Sequence, residues 1–117
     1  GEKIIAHLVI SSLDTKISKY MYKKFKENDG PFIRSIALKF ISKKDITNSE
    51  IDYLADILGD SKESIENRLL AAKYISSIKN KCFKKQAIEV LEKVISDKNE
   101  EISKKAKEYI LMIRKIQ

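Results

Sequence analysis

The chain has no tryptophan, one histidine, one cysteine, one proline, three glycines and three arginines in 117 residues. Each scarcity excludes something. A lone cysteine cannot close an intrachain disulfide, which suits a reducing intracellular setting, cytoplasmic or nuclear. A lone histidine excludes a two-histidine metal site and the H-E-x-x-H pattern, so no metal is expected. The few glycines form no phosphate-cradling loop, and no cofactor is expected. Scarce glycine and proline also argue against a turn-rich β-sandwich and suit helices joined by short corners. No apolar run approaches the roughly 18 residues of a membrane span. Ile4 to Ile10 is too short, and His7 interrupts it. The start, Gly1-Glu2-Lys3, lacks the layout of a secretion signal.

Nucleophilic catalysis finds equally little support. Lys81, Lys84 and Lys85 lie beside Cys82 in the chain and would favour its thiolate. No histidine is in sequence range to act as its base, and no nucleophile-elbow motif is present. Acid pairs such as Asp52/Asp56 and Glu89/Glu92 stand at helical spacing, as solvated charges on any exposed helix face do. The chain is therefore expected not to be an enzyme.

What is abundant is lysine (21 residues) and isoleucine (19), with 43% hydrophobic and 35% charged residues overall. That charge content fits many helices each showing one face to water. The net charge of +7 is uneven: residues 1–44 carry +6, residues 45–80 carry −3 and residues 81–117 carry +4. An acidic middle between basic ends is not the continuous basic stripe of a dedicated nucleic-acid binder.

The dominant signal is an internal repeat. The stretch from Arg68 to Ile78, R-L-L-A-A-K-Y-I-S-S-I, has relatives starting at Lys3, Arg34 and Ser103. Ala6, Ala37, Ala71 and Ala106 head the pattern, each followed four residues later by Ile10, Ile41, Ile75 or Ile110. The alanines are 31, 34 and 35 residues apart, a period that marks stacked helical units. Leu54-Ala-Asp-Ile-Leu-Gly-Asp60 and Leu91-Glu-Lys-Val-Ile-Ser-Asp97 also match position for position, and each precedes a copy of the pattern. One repeat is thus a first helix, a turn carrying aspartate and a second helix headed by alanine.

Seven helices and no strand follow from the periodicity. The first covers residues 2–13; the second runs to about Glu27, with Ile17, Tyr20, Met21 and Phe25 inward. Asn28-Asp29-Gly30-Pro31 is the sharpest turn signal, and Pro31 starts the third helix, to about Lys43. Thr47 and Glu50 form a capping box that opens the fourth helix, ending near Gly59. Asp60 and Asp97 have the spacing of helix caps for the fifth helix, to about Lys79, and the seventh, to about Ile116. The sixth covers roughly residues 83–96.

With Asp60 in the turn, Arg68, Ala71-Ala72 and Ile75 in the second helix, and the core I-R-x-x-A repeated from Ile33 to Ala37, the chain resembles the HEAT-repeat superfamily in its short HEAT-like form. The resemblance covers essentially the whole of residues 1–117 and implies one all-α domain, a right-handed α-solenoid of about seven helices. Ser103 departs from it by replacing the arginine, and the period is shorter than the ~40–47 residues of typical HEAT and armadillo repeats. The period also suits tetratricopeptide repeats, but their W-x-x-L-G-x-x-Y signature is absent. The first copy begins where a second helix should start, so the chain is expected to be a piece of a longer solenoid. The resemblance further implies that the turn aspartate and the second-helix arginine can hold adjacent repeats together. Arg34 and Arg68 are therefore open to a structural reading as well as to a binding one.

Second helices line the concave surface of a solenoid, its usual binding face. Opposite the apolar stripe of the third helix (Phe32, Ile33, Ile36, Ala37, Phe40, Ile41) stand Arg34, Leu38 and Lys39. Matching positions hold Arg68, Leu69 and Lys73 in the next copy, and Lys104 and Lys107 in the last. These eight residues are the candidate partner-binding row. Leucines among serines and lysines suit a protein-interaction scaffold that receives an acidic or mixed peptide or helix. The alternative is nucleic-acid binding through the lysines, as in HEAT-like DNA-binding proteins. Missing tryptophan, scarce arginine and the acidic middle weigh against it.

Overall fold

The computed structural model describes residues 15–27 and 30–116, and the expected helix over residues 2–13 lies outside them. The described residues form six α-helices and one 3-10 turn, with no strand. They are α1 (Thr15–Glu27), α2 (Pro31–Ile41), α3 (Asn48–Leu58), α4 (Ile65–Ser76), the 3-10 turn Lys81–Phe83, α5 (Lys84–Glu92) and α6 (Glu100–Arg114). The chain divides into two compact units, residues 1–44 and residues 45–117.

In the first unit α1 packs on α2. Pro31 occupies the start of α2, where a missing N–H costs nothing because no intrahelical partner exists for it. Tyr22 is the buried aromatic of α1, with the Phe25 ring 6.3 Å from it, whereas Tyr20 is 61% exposed. Tyr22, not the expected Tyr20, is the inward residue: two residues apart on a helix is a half-turn, and the lysine-rich surroundings favour neither. On α2 the buried residues are Ala37, Leu38 and Ile41, while Phe32 is 68% exposed. The buried arc is thus turned from the expected one, away from Phe32 and toward Leu38.

In the second unit α3 and α4 form one antiparallel hairpin and α5 and α6 another. The hairpins lie side by side, with α4 against α6 and α3 against α5. Their core is aliphatic: Ile51, Leu54, Leu58, Ile75, Leu91, Ile102 and Ile113 are fully buried. Leu54 and Leu91, matched in sequence, are both at 0% exposure, as are the matched Ala71 and Ala106. An alanine without bulk at each of these points lets a neighbouring helix come close. Across the first helices, Gln86 Nε2 donates to Asp52 Oδ1 at 2.7 Å, tying α5 to α3.

Local chemistry sets the helix ends. The Thr47–Glu50 capping box is present, and the Glu50 carboxylate accepts from Thr47 N–H at 2.9 Å and from the Thr47 hydroxyl at 2.7 Å. Glu50 is 1% exposed, so these bonds keep a buried charge satisfied. Thr47→Ala is expected to cost about 1 kcal/mol, lowering the thermal midpoint by roughly 5 °C in a calorimetric scan.

Asp60 and Asp97 are not the caps of α4 and α6. Each instead accepts from the N–H two residues on, Lys62 and Asn99, both at 2.9 Å. Ser64 caps α4 by accepting from Asn67 N–H at 3.2 Å, and Asn99 caps α6 by accepting from Ile102 N–H at 3.0 Å. Several side-chain acceptors within a few residues compete for one helix start, and spacing from aspartate alone does not rank them. The helix carrying Arg68 stops at Ser76, short of Lys79, as the Ser76 and Ser77 hydroxyls donate to Lys73 O and Tyr74 O, each at 2.6 Å. After Glu92, bonds of the tighter i to i−3 kind, Val94 N–H to Leu91 O at 3.1 Å among them, end α5 before residue 96.

Candidate binding surface

The buried residues of α4 are Arg68, Ala71, Ala72 and Ile75. At ~100° per residue they share one arc about 100° wide. An arginine and a second alanine are therefore part of the interior of this unit, not of its outer row. Arg68 is 3% exposed. Its Nε donates to Leu58 O at 2.8 Å, at the end of α3, and its Nη2 and Nη1 reach the Asp97 carboxylate at 2.5 and 3.4 Å. One side chain thus joins its own hairpin partner to the turn inside the next hairpin, between α5 and α6.

This contact also sets the charge state of Asp97. The hydrogen bond from Arg68, helped by the Asn99 backbone N–H, holds its carboxyl below the ordinary carboxylate range, against the opposing push of partial burial. An acid with a depressed folded-state pKa adds stability above its unfolded value of about 3.9, and that stability is lost as pH falls through the folded-state value. Wild type should therefore lose more stability between pH 7 and pH 2 than Asp97→Asn does, read as the shift in thermal midpoint.

Ser103 occupies in α6 the position of Arg68 in α4. Its hydroxyl donates to Ile95 O, and Ile95 is the sequence equivalent of Leu58. The serine keeps the bond within the hairpin and lacks the reach to a further aspartate. A second tie is Lys84, whose Nζ donates to Arg114 O at 3.0 Å and Ile116 O at 3.1 Å and so satisfies carbonyls at the end of α6.

The eight residues of the candidate row separate by burial. Lys39, Lys73, Lys104 and Lys107 are exposed, and Leu69 is half-buried. Leu38, at 2% exposure, and Arg68 are interior, and Arg34 is half-buried and engaged. Two of the eight thus offer nothing to a partner. A helix covered by its hairpin partner and by a neighbouring hairpin has a wide buried arc, so its solvent row is narrower than the side opposite the apolar stripe. On α4 and α6 the solvent-facing positions run through Leu69, Lys73 and Ser76, and through Lys104, Glu108 and Leu111. Leu111 and Met112 are 59% and 53% exposed. The sequence shows Leu111 as one leucine among several; its exposure comes only with the packing.

Other chemistry is sparse among the described residues. No group of three or more His, Cys, Asp or Glu side chains could hold a metal. Cys82 is exposed and free, on the 3-10 turn where its N–H donates to Asn80 Oδ1 at 2.8 Å. No described helix is long and apolar enough to cross a membrane. His7 lies outside the described residues. Compared with family models, curated proteins and solved structures, the chain gives no match.

Proposed function

We propose that the chain is a HEAT-like helical-repeat scaffold, without catalysis of its own, that takes a peptide or helix of a protein partner on the solvent-facing row of its second helices. The observation that carries this reading is the coincidence of repeat and exposure. Positions 69, 73 and 76 of α4 and their equivalents 104, 108 and 111 of α6 lie outside the buried set on packed helices, and each row carries a lysine and a leucine: Leu69 and Lys73 on one, Lys104 and Leu111 on the other. Side-by-side hairpins that pair first helix with first and second with second are the building unit of an α-solenoid, and such arrays bind through extended second-helix surfaces. A right-handed solenoid and an intracellular setting belong to the same proposal.

The test is affinity capture with the wild type and with one variant altered on both helices of the row, Leu69→Asp, Lys73→Glu, Lys104→Glu and Leu111→Asp, four changes outside the buried set. The variant is expected to bind a recovered partner at least tenfold more weakly, about 1.4 kcal/mol. Retention of every partner at full affinity would overturn the second-helix row. The lysines alone leave nucleic acid as the competing ligand. Binding of a duplex with a steep salt slope, and of no protein, would favour it instead.

A further inference from the structure

The flank by which α4 receives its neighbour has a counterpart on α6 that the described residues leave open. On α4 that flank is Arg68, Ala72 and Ser76, one turn apart, with Arg68 and Ala72 buried, Arg68 bound to Asp97 and the helix packed on α6. The equivalent α6 residues are Ser103, Lys107 and Leu111, with Arg114 next along the same side. Lys107, Leu111 and Arg114 are all exposed. The shape repeats but the chemistry has changed: small and buried has become cationic and open around one apolar residue.

We infer that this flank of α6 docks an acidic amphipathic helix of a partner protein, its apolar stripe on Leu111 and its carboxylates on Lys107, Arg114 and the adjacent Lys104. The inference rests on the scaffold reading and narrows it to one helix and one class of ligand. Two observations commit it to that occupant. The equivalent flank of α4 meets a neighbouring helix, with α4 packed on α6 and Arg68 bound to Asp97, so the matched flank of α6 is of a kind that packs against a helix. The cations around Leu111 make no ion pair among the described residues, the pair on α6 being Lys105 with Glu108 at 3.4 Å. An acidic helix supplies the missing charge, and an apolar residue on it covers the exposed leucine.

The experiment is selection of a random 16-residue peptide library on the full chain, followed by affinity measurement with two variants. Lys107→Glu/Leu111→Asp alters the α6 flank, and Leu69→Asp/Lys73→Glu alters the α4 row; circular dichroism confirms that both keep wild-type helicity. Enriched peptides should be net acidic with apolar residues at i, i+3 or i+4, and i+7. Their affinity should fall at least tenfold with the α6 variant and stay within twofold with the α4 variant. Acidic peptides lost only with the α4 variant would overturn the α6 flank while leaving the scaffold reading standing. Enrichment of basic or purely apolar peptides, or self-association abolished by the α6 variant, would overturn the acidic helix as occupant. No enrichment at all would overturn both readings.

Discussion

Arg68→Ala should destabilise residues 45–117 by about 3 kcal/mol, lowering the thermal midpoint by roughly 15 °C. The size follows from what is stranded. Removing the guanidinium leaves the Asp97 carboxylate, 18% exposed, without its cation, and leaves the Leu58 carbonyl without the donor 2.8 Å away. A charge pair broken on one side inside a protein costs about 3–5 kcal/mol, and partial access of water to Asp97 places this one at the lower end. Arg68→Lys should recover little, because one ammonium cannot serve the Leu58 carbonyl and both carboxylate oxygens in the planar geometry of a guanidinium. Urea unfolding at neutral pH provides the measurement, with the slope unchanged if only stability has moved. A loss under 1 kcal/mol would mean that the arginine is incidental.

Leu91→Ala is the second large effect, at about 3 kcal/mol. Leu91 lies in α5 at 0% exposure and is the repeat equivalent of Leu54, also at 0%. Truncation removes three buried carbons and leaves a cavity that neighbours close only in part. Leu54→Ala should cost a similar amount, since both leucines are fully buried at matched sequence positions in the first helix of their hairpins. Values differing by more than about 2 kcal/mol would mean that the two hairpins do not carry equivalent loads. By contrast Leu111→Ala, at a 59% exposed position, should change stability by less than about 0.5 kcal/mol.

Much of this was legible before any coordinates. Alanine and isoleucine recurring at a fixed period marked the buried side of the second helices, and Ala37, Ile41, Ala71, Ile75, Ala106 and Ile110 are all buried. Thr47 and Glu50 named their own capping box, because both halves of that motif are written three residues apart. What stayed hidden had no period. Tyr22 and Tyr20 are two steps apart in a segment crowded with lysine, and only packing decides which is inward. Arg68 stands opposite the apolar stripe in the sequence, whereas α4, packed between α3 and α6, is covered along a wider arc that includes it. Arg68 and Asp97, 29 residues apart, could be paired only through the resemblance to repeats that use such contacts. The exposed lysines were readable as candidates; which of them stand around an uncovered leucine was not.

The claim on which the rest depends is that Arg68 and Asp97 join one hairpin to the next. A double-mutant cycle with Arg68→Ala, Asp97→Ala and the pair, read by urea unfolding at pH 7, isolates that link from the separate bonds each residue makes. A coupling energy of about 2 kcal/mol is expected. Additive losses, with coupling indistinguishable from zero, would contradict it.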